Sequence, residues 1–285
     1  MTDGPRLVIV SGKGGVGKSA VTAAMALAAH RRGGRVLVVA MTGDGGGLAG
    51  HLGVPPLQFD TREDRPGLFT TVVERTQALR EYLHLQVGLP SIVAFGPAVR
   101  AFDALASTAP AVREIVTMGK VLWEVKRQEW DLVVADGPPT GQIGSFLRAA
   151  RTISELVPSG RIREQAAWME GILLEQGVAT LSLVTLAEEL PTSETQETLD
   201  WLDREKLVTT VNIIANRIIE PLDWSGDGLP SGRAGEAARL HMSLSSEQRR
   251  WLAALPPDRQ LPFMFGTMTP TEVSARLADE IEAWQ

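Results

Sequence analysis

The sequence predicts an α/β fold in which a mostly parallel sheet is covered by helices on both faces. Short apolar runs rich in β-branched residues, which suit buried parallel strands, alternate with helical segments along most of the 285 residues. Two of the predicted strands lead into segments suited to a ligand: a glycine-rich loop follows Val10, and Asp136 ends a later strand. Because ligands bind at the carboxyl ends of such strands, we expect one site at this edge of the sheet.

Strands and helices are predicted in turn along the chain. The strands cover residues 7–10, 35–40, 69–73, 131–136, 180–186, 208–215 and 261–265. The helices cover residues 18–30, 76–86, 109–127, 143–156, 162–175, 192–205, 245–255 and 271–285. Residues 221–233 are rich in Gly, Asp and Pro and predict a loop that is long enough to serve as a lid. We expect a single domain of residues 1–285, with a reduced helical subdomain inserted at about residues 76–127 and 143–175.

Residues 12–19 read GKGGVGKS and satisfy the phosphate-binding pattern G-x-x-x-x-G-K-[ST]. Backbone N–H groups of such a loop, together with the positive end of the following helix, form an anion nest. Lys18 is placed to reach the β- and γ-phosphates, and the Ser19 hydroxyl to bind Mg²⁺. The sequence therefore predicts a P-loop NTPase that takes ATP and Mg²⁺. Its predicted nucleotide-binding residues in this loop are Gly12, Gly14, Gly15, Val16, Gly17, Lys18, Ser19 and Ala20.

Asp136 follows four apolar residues, which is the pattern of a Walker B strand. We expect its carboxylate to hold Mg²⁺ through a water, so that Ser19 and Asp136 are the predicted metal residues. The segment continues as Gly-Pro-Pro-Thr-Gly, a stiff pair of prolines between flexible ends that suits a sensor of the γ-phosphate. The predicted residues of this switch II segment are Asp136, Pro138, Pro139, Thr140 and Gly141.

Lys13 is a second lysine in the loop, which an ordinary P-loop does not need. With it the loop resembles the deviant Walker A motif, Lys-Gly-Gly-x-Gly-Lys-[Ser/Thr]. That motif belongs to the arsenite-pump ATPases, the tail-anchored-protein targeting ATPases, the ParA/MinD ATPases and the nitrogenase iron protein. In those families the early lysine reaches across a two-fold axis into the partner's nucleotide. The resemblance therefore implies a dimer in which Lys13 and Lys18 both act on phosphate charge.

Other motifs resemble the arsenite-pump and tail-anchored-targeting branch, and they follow in the same order. Residues 136–141 resemble its Asp-x-x-Pro-Thr-Gly-His switch II, and residues 188–195 its Glu-Glu-Leu-Pro-x-x-Glu-Thr loop. Residues 110–114 match a Pro-x-x-x-Glu pattern that precedes Walker B. Gln142 and Ser145 depart from the branch, which usually has His and Arg at these positions.

Two further motifs resemble the adenine-binding segments of this branch. Asn216-Arg217 is similar to an Asn-[Gln/Arg] motif whose asparagine reads adenine. Residues 261–263 resemble a loop that packs on the adenine ring, which implies contacts by Pro262 and Phe263. The chain as a whole is thus similar to the ArsA-like ATPases in a single-half form.

Composition excludes several classes of protein. The net charge of −6 and the pI near 5.4 argue against nucleic-acid binding, which needs clustered Lys and Arg. Residues 271–285 lack a basic face, so we expect no direct membrane insertion of a MinD-like helix. The absence of cysteine excludes a cysteine-bridged iron–sulfur cluster and thiolate binding of arsenite. We find no secretion signal and no apolar run of about 18 residues, and therefore expect a cytoplasmic protein.

The segment after the second strand departs from the relatives. They carry Asp-x-Asp-Pro there, and the second aspartate of this switch I positions the attacking water. If Leu48 is aligned with their leucine, Gly43 occupies the catalytic aspartate position and Asp44 falls one residue late. Five glycines within residues 43–50 predict a flexible loop. Two hypotheses follow: Asp44 swings in as the water-orienting base, or the chain hydrolyses ATP slowly and pairs with a paralogue that keeps the aspartate.

ATP hydrolysis has to be coupled to a process, and two classes compete. In the first, a homodimer or heterodimer opens and closes a helical surface, formed by residues 76–127 and 162–175, around an apolar protein client. The apolar residues that suggest such a face are Ile92, Val93, Phe95, Val99, Phe102 and Leu105. In the second class, the chain is the ATPase subunit of an anion pump and binds an integral membrane subunit.

Overall fold

The computed structural model describes residues 6–87, 110–223, 228 and 231–284. The apolar residues proposed above as a client face, at positions 92–105, lie outside this part of the chain. Within it, eight strands form one sheet with the order β3-β4-β2-β5-β1-β6-β7-β8. The strands are β1 (Leu7–Gly12), β2 (Val36–Ala40), β3 (Arg62–Arg65), β4 (Leu68–Val72), β5 (Leu132–Asp136), β6 (Ala179–Leu186), β7 (Thr210–Ile218) and β8 (Arg259–Pro262).

The sheet is parallel except at one edge, where β3 pairs antiparallel with β4. The helices in the described ranges are α1 (Lys18–Arg31), α2 (Gly46–Leu52), α3 (Arg75–Val87), α4 (Pro110–Arg127), α5 (Thr140–Leu156), α6 (Arg161–Leu174), α7 (Glu189–Glu205), α8 (Gly232–Ala254) and α9 (Pro270–Glu282). Strands that alternate with crossover helices give this arrangement. The predicted α/β fold class is confirmed.

Both faces of the sheet are buried, and successive residues of each central strand point to opposite faces. In β1, Leu7 and Ile9 join a hydrophobic cluster that includes α4, α5 and α6. Val8 and Val10 join the cluster on the other face, where α1, α2 and α9 pack. The two-sided burial explains why the central strands read as continuous apolar runs.

The helices predicted as an insertion pack directly on the sheet where they are described. Met118 of α4, Ile143 of α5 and Met169 of α6 are buried in one cluster with strand residues such as Leu7. In the described part of the chain these helices therefore form the layer over one face. Their division into a separate subdomain stays a prediction.

The loop predicted as flexible at residues 43–50 is partly helical, which is a correction. Helix α2 begins at Gly46 although three of its seven residues are glycines. Leu48, Ala49 and Leu52 are buried in the same cluster as α1 and α9, and this tertiary burial overrides the low helix propensity of glycine. A hydrogen bond from the Thr271 hydroxyl to the Gly50 carbonyl, at 3.0 Å, ties α2 to α9.

Three more elements differ from the predictions: one helix starts earlier, one edge strand was not predicted and one strand ends earlier. Helix α8 begins at Gly232, well before the predicted residue 245, and only Gly235 and Ser245 of it are buried. A helix that buries so little apolar surface leaves a weak periodic signal. The polar edge strand β3 was missed because Arg62–Arg65 carries no apolar run. Strand β8 ends at Pro262, short of residue 265.

Candidate functional site

The glycine-rich loop connects β1 to α1, in the middle of the sheet. Strand β1 lies between β5 and β6, so the loop emerges between two neighbouring strand ends. A Cβ atom at Gly12 would lie 2.1 Å from the carbonyl oxygen of Val184, and one at Gly17 would lie 2.5 Å from Nδ2 of Asn216. Glycine is therefore required at both positions by close approach of the neighbouring chain. Gly14 and Gly15, by contrast, face open space, which leaves room for phosphate.

Asn216 supports the phosphate-binding loop through a hydrogen bond. It is buried at the end of β7, and its Nδ2 donates a hydrogen bond to the Val16 carbonyl at 2.8 Å. Its Oδ1 accepts from the backbone N–H of Arg217 at 2.9 Å, and Arg217 adopts a left-handed conformation with φ of 58°. Sequence reasoning placed Asn216 against adenine and did not foresee this support of the loop. The adenine contact stays a prediction, as does that of Arg217.

Lys18 and Lys13 occupy different surroundings. The Lys18 ammonium donates a hydrogen bond to the Lys13 carbonyl at 3.2 Å, so its side chain curls over the loop. Burial lowers the pKa of Lys18, and the nearby negative charge of Asp136 opposes that shift. Lys13 instead forms an ion pair with Glu194 of α7. The two lysines are therefore directed to separate partners.

Ser19 and Asp136 meet at the carboxyl ends of β1 and β5. Val10 and Asp136 are paired in register, and this brings Asp136 level with the start of α1. The Ser19 hydroxyl donates to Oδ2 of Asp136 at 2.6 Å, and the buried Thr22 hydroxyl donates to Oδ1 at 3.4 Å. Burial raises the pKa of Asp136, against the hydrogen bond from Ser19 and the positive charge of Lys18. Thr22 was missed by sequence reasoning, although it lies one helical turn after Ser19 and shares its face.

The residues present fit a magnesium ion that is shared with phosphate. Mg²⁺ prefers oxygen ligands and is usually held by one or two carboxylates together with substrate phosphates. Ser19 and Asp136 offer such oxygens at a single point. Within residues 6–87, 110–223, 228 and 231–284, no group of three or more His, Cys, Asp or Glu side chains could hold a metal. The predicted assignment of Ser19 and Asp136 thus has the geometry it needs, and the metal itself stays a prediction.

The switch II segment is tied to the end of β1. The Gly137 N–H donates to the Val10 carbonyl at 2.8 Å, and the Ser11 hydroxyl donates to the Pro138 carbonyl at 2.7 Å. Pro139 immediately precedes α5, which begins at Thr140 and includes Gly141. The helix starts three residues earlier than predicted, so the last residues of switch II are its first turn. A displacement of this segment would therefore move α5 with it.

The switch I segment around Asp44 makes hydrogen bonds of its own. Asp44 is exposed, and its Oδ1 accepts a hydrogen bond at 2.9 Å from the N–H of Gly46, the first residue of α2. Gly43 has φ of 71° and faces open space. Gly47 approaches the predicted metal residues, since a Cβ atom there would be 3.9 Å from the Ser19 hydroxyl oxygen. The catalytic role of Asp44 stays a prediction, and in the structure its carboxylate accepts from the backbone two residues on, in a local turn that leads into α2.

The predicted adenine loop follows β8 at the edge of the sheet. Phe263 is partly exposed and makes an edge-on contact with Phe265, with ring centroids 4.8 Å apart. Strand β8 adjoins β7, which carries Asn216 under the phosphate loop. Exposed aromatic rings next to β7 are compatible with a purine, and the contacts by Pro262 and Phe263 stay predictions.

Fold and site together define an α/β protein of the P-loop NTPase class. The sequence model of a family described as "Anion-transporting ATPase", the ArsA ATPases, matches residues 5–162. The chain therefore belongs to the ArsA ATPase family. It is 33% identical over 237 residues to the ATPase BagA of Mycobacterium tuberculosis strain H37Rv, an alignment that covers 77% of this chain and 68% of that protein. The same values hold for a Mycobacterium bovis protein named "Putative ATPase Mb3704".

The described helices were also compared with the length and apolar character that a membrane span requires. None of them, in residues 6–87, 110–223, 228 and 231–284, is long and apolar enough to cross a bilayer.

Proposed function

We propose that this chain is a slowly hydrolysing ATPase that works as a dimer and couples nucleotide state to the opening and closing of a helical surface for a client or partner. Family membership supports ATPase function at the coarse level. The observation that carries the proposal is the hydrogen bond between Ser19 and Asp136, which assembles the two predicted metal residues beside Lys18.

Each residue of the phosphate side has a defined task in this proposal. The loop N–H groups and Lys18 bind and orient the β- and γ-phosphates. Ser19 and Asp136 would hold Mg²⁺, which neutralises phosphate charge when bound. Lys13 of a second copy would add positive charge to the phosphates, as the resemblance implies. These groups explain binding and charge stabilisation, which dominate catalysis of phosphoryl transfer.

Slow hydrolysis is proposed from switch I. Orienting the attacking water requires a group that is held in place before the reaction. With Leu48 aligned to the relatives' leucine, Gly43 falls at the position of their aspartate and offers no side chain, while the exposed Asp44 is hydrogen-bonded to the first N–H of α2. The hydrogen bond from the Gly46 N–H would have to break before the Asp44 carboxylate could approach a water. We therefore propose that binding is strong and cleavage is the limiting step.

Coupling to a partner is proposed through α5. This helix begins in switch II at Thr140 and packs between α4 and α6 in one buried cluster. Its far end carries Leu156, which is 72% exposed, and Ile162 of α6 close by in sequence is 57% exposed. Large apolar side chains at the end of a nucleotide-linked helix favour an apolar client over a charged one. Whether the dimer is formed by two identical chains or with a paralogue stays open.

A second candidate function is a hydrolysis-deficient subunit of a heterodimer with a paralogous ATPase. The engagement of Asp44 with α2 favours it, because a chain without a positioned carboxylate depends on a partner that has one. The role of ATPase subunit in an anion pump rests on the family description. Since the sequence has no cysteine, such a pump would not bind arsenite through thiolates.

The proposed dimer is tested by measuring the mass of the purified protein in solution with Mg²⁺ alone, with Mg²⁺-ADP and with Mg²⁺-ATP. We expect a monomer with ADP and a dimer with ATP, because only the γ-phosphate offers the charge that a second Lys13 can reach. Lys13→Ala should raise the dissociation constant of the ATP-bound dimer about tenfold or more, leaving a weaker dimer that can still be measured at high protein concentration, and should keep ATP binding. An ATP-bound protein that stays monomeric, alone and with a paralogue, would contradict the proposal.

A further inference from the structure

Glu194 bridges two segments of the site that the proposed function treats separately. One oxygen of its carboxylate pairs with the Lys13 ammonium. The other oxygen accepts a hydrogen bond from the Thr140 hydroxyl at 3.3 Å. Lys13 belongs to the phosphate loop and Thr140 to switch II, so a single carboxylate contacts both segments. No sequence motif assigned it this position.

The backbone that carries Glu194 is firmly placed. Helix α7 follows β6, the strand beside β1, and its buried face includes Thr192 and Thr195. The Thr192 hydroxyl donates to the carbonyl of Leu186, the last residue of β6, at 3.3 Å and so ties the start of α7 to the sheet. The helix cannot easily follow Lys13 or Thr140 if either one moves. The position of Glu194 is therefore set by α7 and not by either of its two partners.

The Lys13–Glu194 pair is weak enough to be exchanged. About a third of each side chain is exposed, 32% for Lys13 and 38% for Glu194. Ion pairs with this exposure contribute about 1 kcal/mol or less. A nucleoside triphosphate carries several negative charges and competes strongly for the ammonium. The Lys13–Glu194 ion pair thus suits a contact of the nucleotide-free state better than a permanent structural contact.

Switch II supplies a way to weaken the pair further. Thr140 lies four residues after Asp136, and the Ser11–Pro138 hydrogen bond ties the segment between them to the end of β1. If the segment shifts toward a γ-phosphate, the Thr140 hydroxyl leaves Glu194 or turns it. The carboxylate then loses one of its two partners and holds Lys13 differently. Nucleotide state would in this way reach the lysine that acts on the second subunit.

From these contacts we infer that Glu194 is a positioning residue that holds Lys13 on its own subunit. When switch II moves Thr140, Glu194 releases the Lys13 side chain, which then contacts the nucleotide of the partner subunit. The inference rests on the proposed ATP-dependent dimer. It adds that dimer formation has a cost, the loss of the Lys13–Glu194 pair, and that removal of the carboxylate makes dimer formation easier.

The test compares Glu194→Gln with Glu197→Gln, a matched loss of one charge on the same helix. We expect Glu194→Gln to lower the dissociation constant of the ATP-bound dimer about fivefold, the equivalent of about 1 kcal/mol. Glu197→Gln should leave it unchanged. Sedimentation velocity over a range of protein concentrations measures both. Half-maximal turnover should be reached at a lower protein concentration in Glu194→Gln than in the wild type and in Glu197→Gln.

A double-mutant cycle separates this role from a purely structural one. If Glu194 acts through Lys13, Glu194→Gln has no further effect on dimerisation in a Lys13→Ala background. An effect that persists there, or a dimer weakened by Glu194→Gln alone, would overturn the inference. If the wild type dimerises with ATP and both glutamine variants match it, Glu194 has no such role and the proposed dimer stands. If the wild type never dimerises, both fail.

Discussion

The protein has two glycine-rich loops at the same edge of the sheet, and they are built in different ways. In the phosphate loop, Gly12 and Gly17 are required because the backbone of β6 and the side chain of Asn216 approach too closely for a Cβ atom. In switch I, Gly43 faces open space, and the nearby Asp44 serves the helix that follows. The phosphate loop is fixed by close neighbours at Gly12 and Gly17, whereas switch I is exposed at Gly43 and Asp44.

This difference is the physical basis of the proposed combination of ATP binding and slow hydrolysis. The phosphate side is preorganised by buried contacts among Val16, Asn216, Ser19 and Asp136. The water side has no such contact from Gly43. Catalytic groups contribute most when they are held before the reaction, so the two loops predict tight binding with slow cleavage.

The largest effect is expected from alanine at the two contrasted glycines. Gly12→Ala places a Cβ atom 2.1 Å from the Val184 carbonyl oxygen, and we expect a loss of about 3 kcal/mol or more in the free energy of unfolding. Gly43→Ala meets no atom and should lose only about 1–2 kcal/mol, because alanine is strained at a φ of 71°. Urea unfolding measures both values.

Gly50→Ala is the control for this pair. Gly50 lies within α2 and a Cβ atom there has open space, so alanine should stabilise the protein by about 0.5–1 kcal/mol. If Gly12→Ala costs no more than Gly43→Ala, the contrast between a packed loop and an open loop is wrong. A Gly12→Ala chain that does not fold agrees with the large loss.

An intermediate effect is expected when an aspartate is restored in switch I. Asp is among the side chains that tolerate a left-handed conformation, and Gly43 has open space around it, so Gly43→Asp should fold. If a missing water-orienting group limits turnover, the rate of phosphate release at saturating ATP should rise about tenfold or more. Gly43→Asn, which has the same shape without the charge, should not show the increase.

The wild-type role of Asp44 is tested in the same assay. Asp44→Asn lowers turnover if the Asp44 carboxylate moves into the site and acts as the base. It leaves turnover unchanged if Asp44 only keeps its hydrogen bond with the first residue of α2. An unchanged turnover in Gly43→Asp, with unchanged ATP affinity, would show that the aspartate position is not what limits the reaction.

The smallest effect is expected on stability at the metal position. Burial raises the pKa of Asp136, so the folded protein binds this proton more tightly than the unfolded chain does. Below the unfolded value of about 3.9 this group favours the folded state fully, and the contribution is lost as pH rises through the raised pKa. Asp136→Asn cannot ionise and should therefore melt about 2 °C higher than the wild type at pH 7 without nucleotide.

The gain from Asp136→Asn should shrink as the pH falls toward 4, which calorimetry at a series of pH values measures. With Mg²⁺-ATP the order should reverse, because the wild type is stabilised by the ligand and the variant loses its metal-binding oxygen. A gain that does not depend on pH would contradict the assignment of the raised pKa to the Asp136 carboxyl group.

The sequence predicted the central architecture well because local patterns determine it. The runs Leu7–Gly12 and Leu132–Asp136 are apolar on both faces, and the spacing of Lys18 and Ser19 is diagnostic of a phosphate loop. Helix α2 was missed because its stability comes from burial of Leu48 and Leu52 against distant helices, which no local pattern of glycines reveals.

The contacts between distant motifs were beyond the sequence for a similar reason. Asn216 and Glu194 were each noticed within a motif. Nothing local indicates that Asn216 supports Val16 or that Glu194 joins Lys13 to Thr140, because these pairs are separated by 54 to 200 positions. Thr22 is the exception, since its helical spacing from Ser19 could have predicted its contact with Asp136.

The most direct test of the account is a single-turnover experiment on the wild-type protein with Mg²⁺-ATP, in which protein is in excess over nucleotide. We predict that ATP is bound fully and that bound ATP is cleaved at well below about 1 s⁻¹, the low end of ordinary turnover rates. Rapid cleavage in the bound state would contradict it, because switch I would then position water without an aspartate at residue 43. Failure to bind ATP would contradict the assignment of the phosphate side itself.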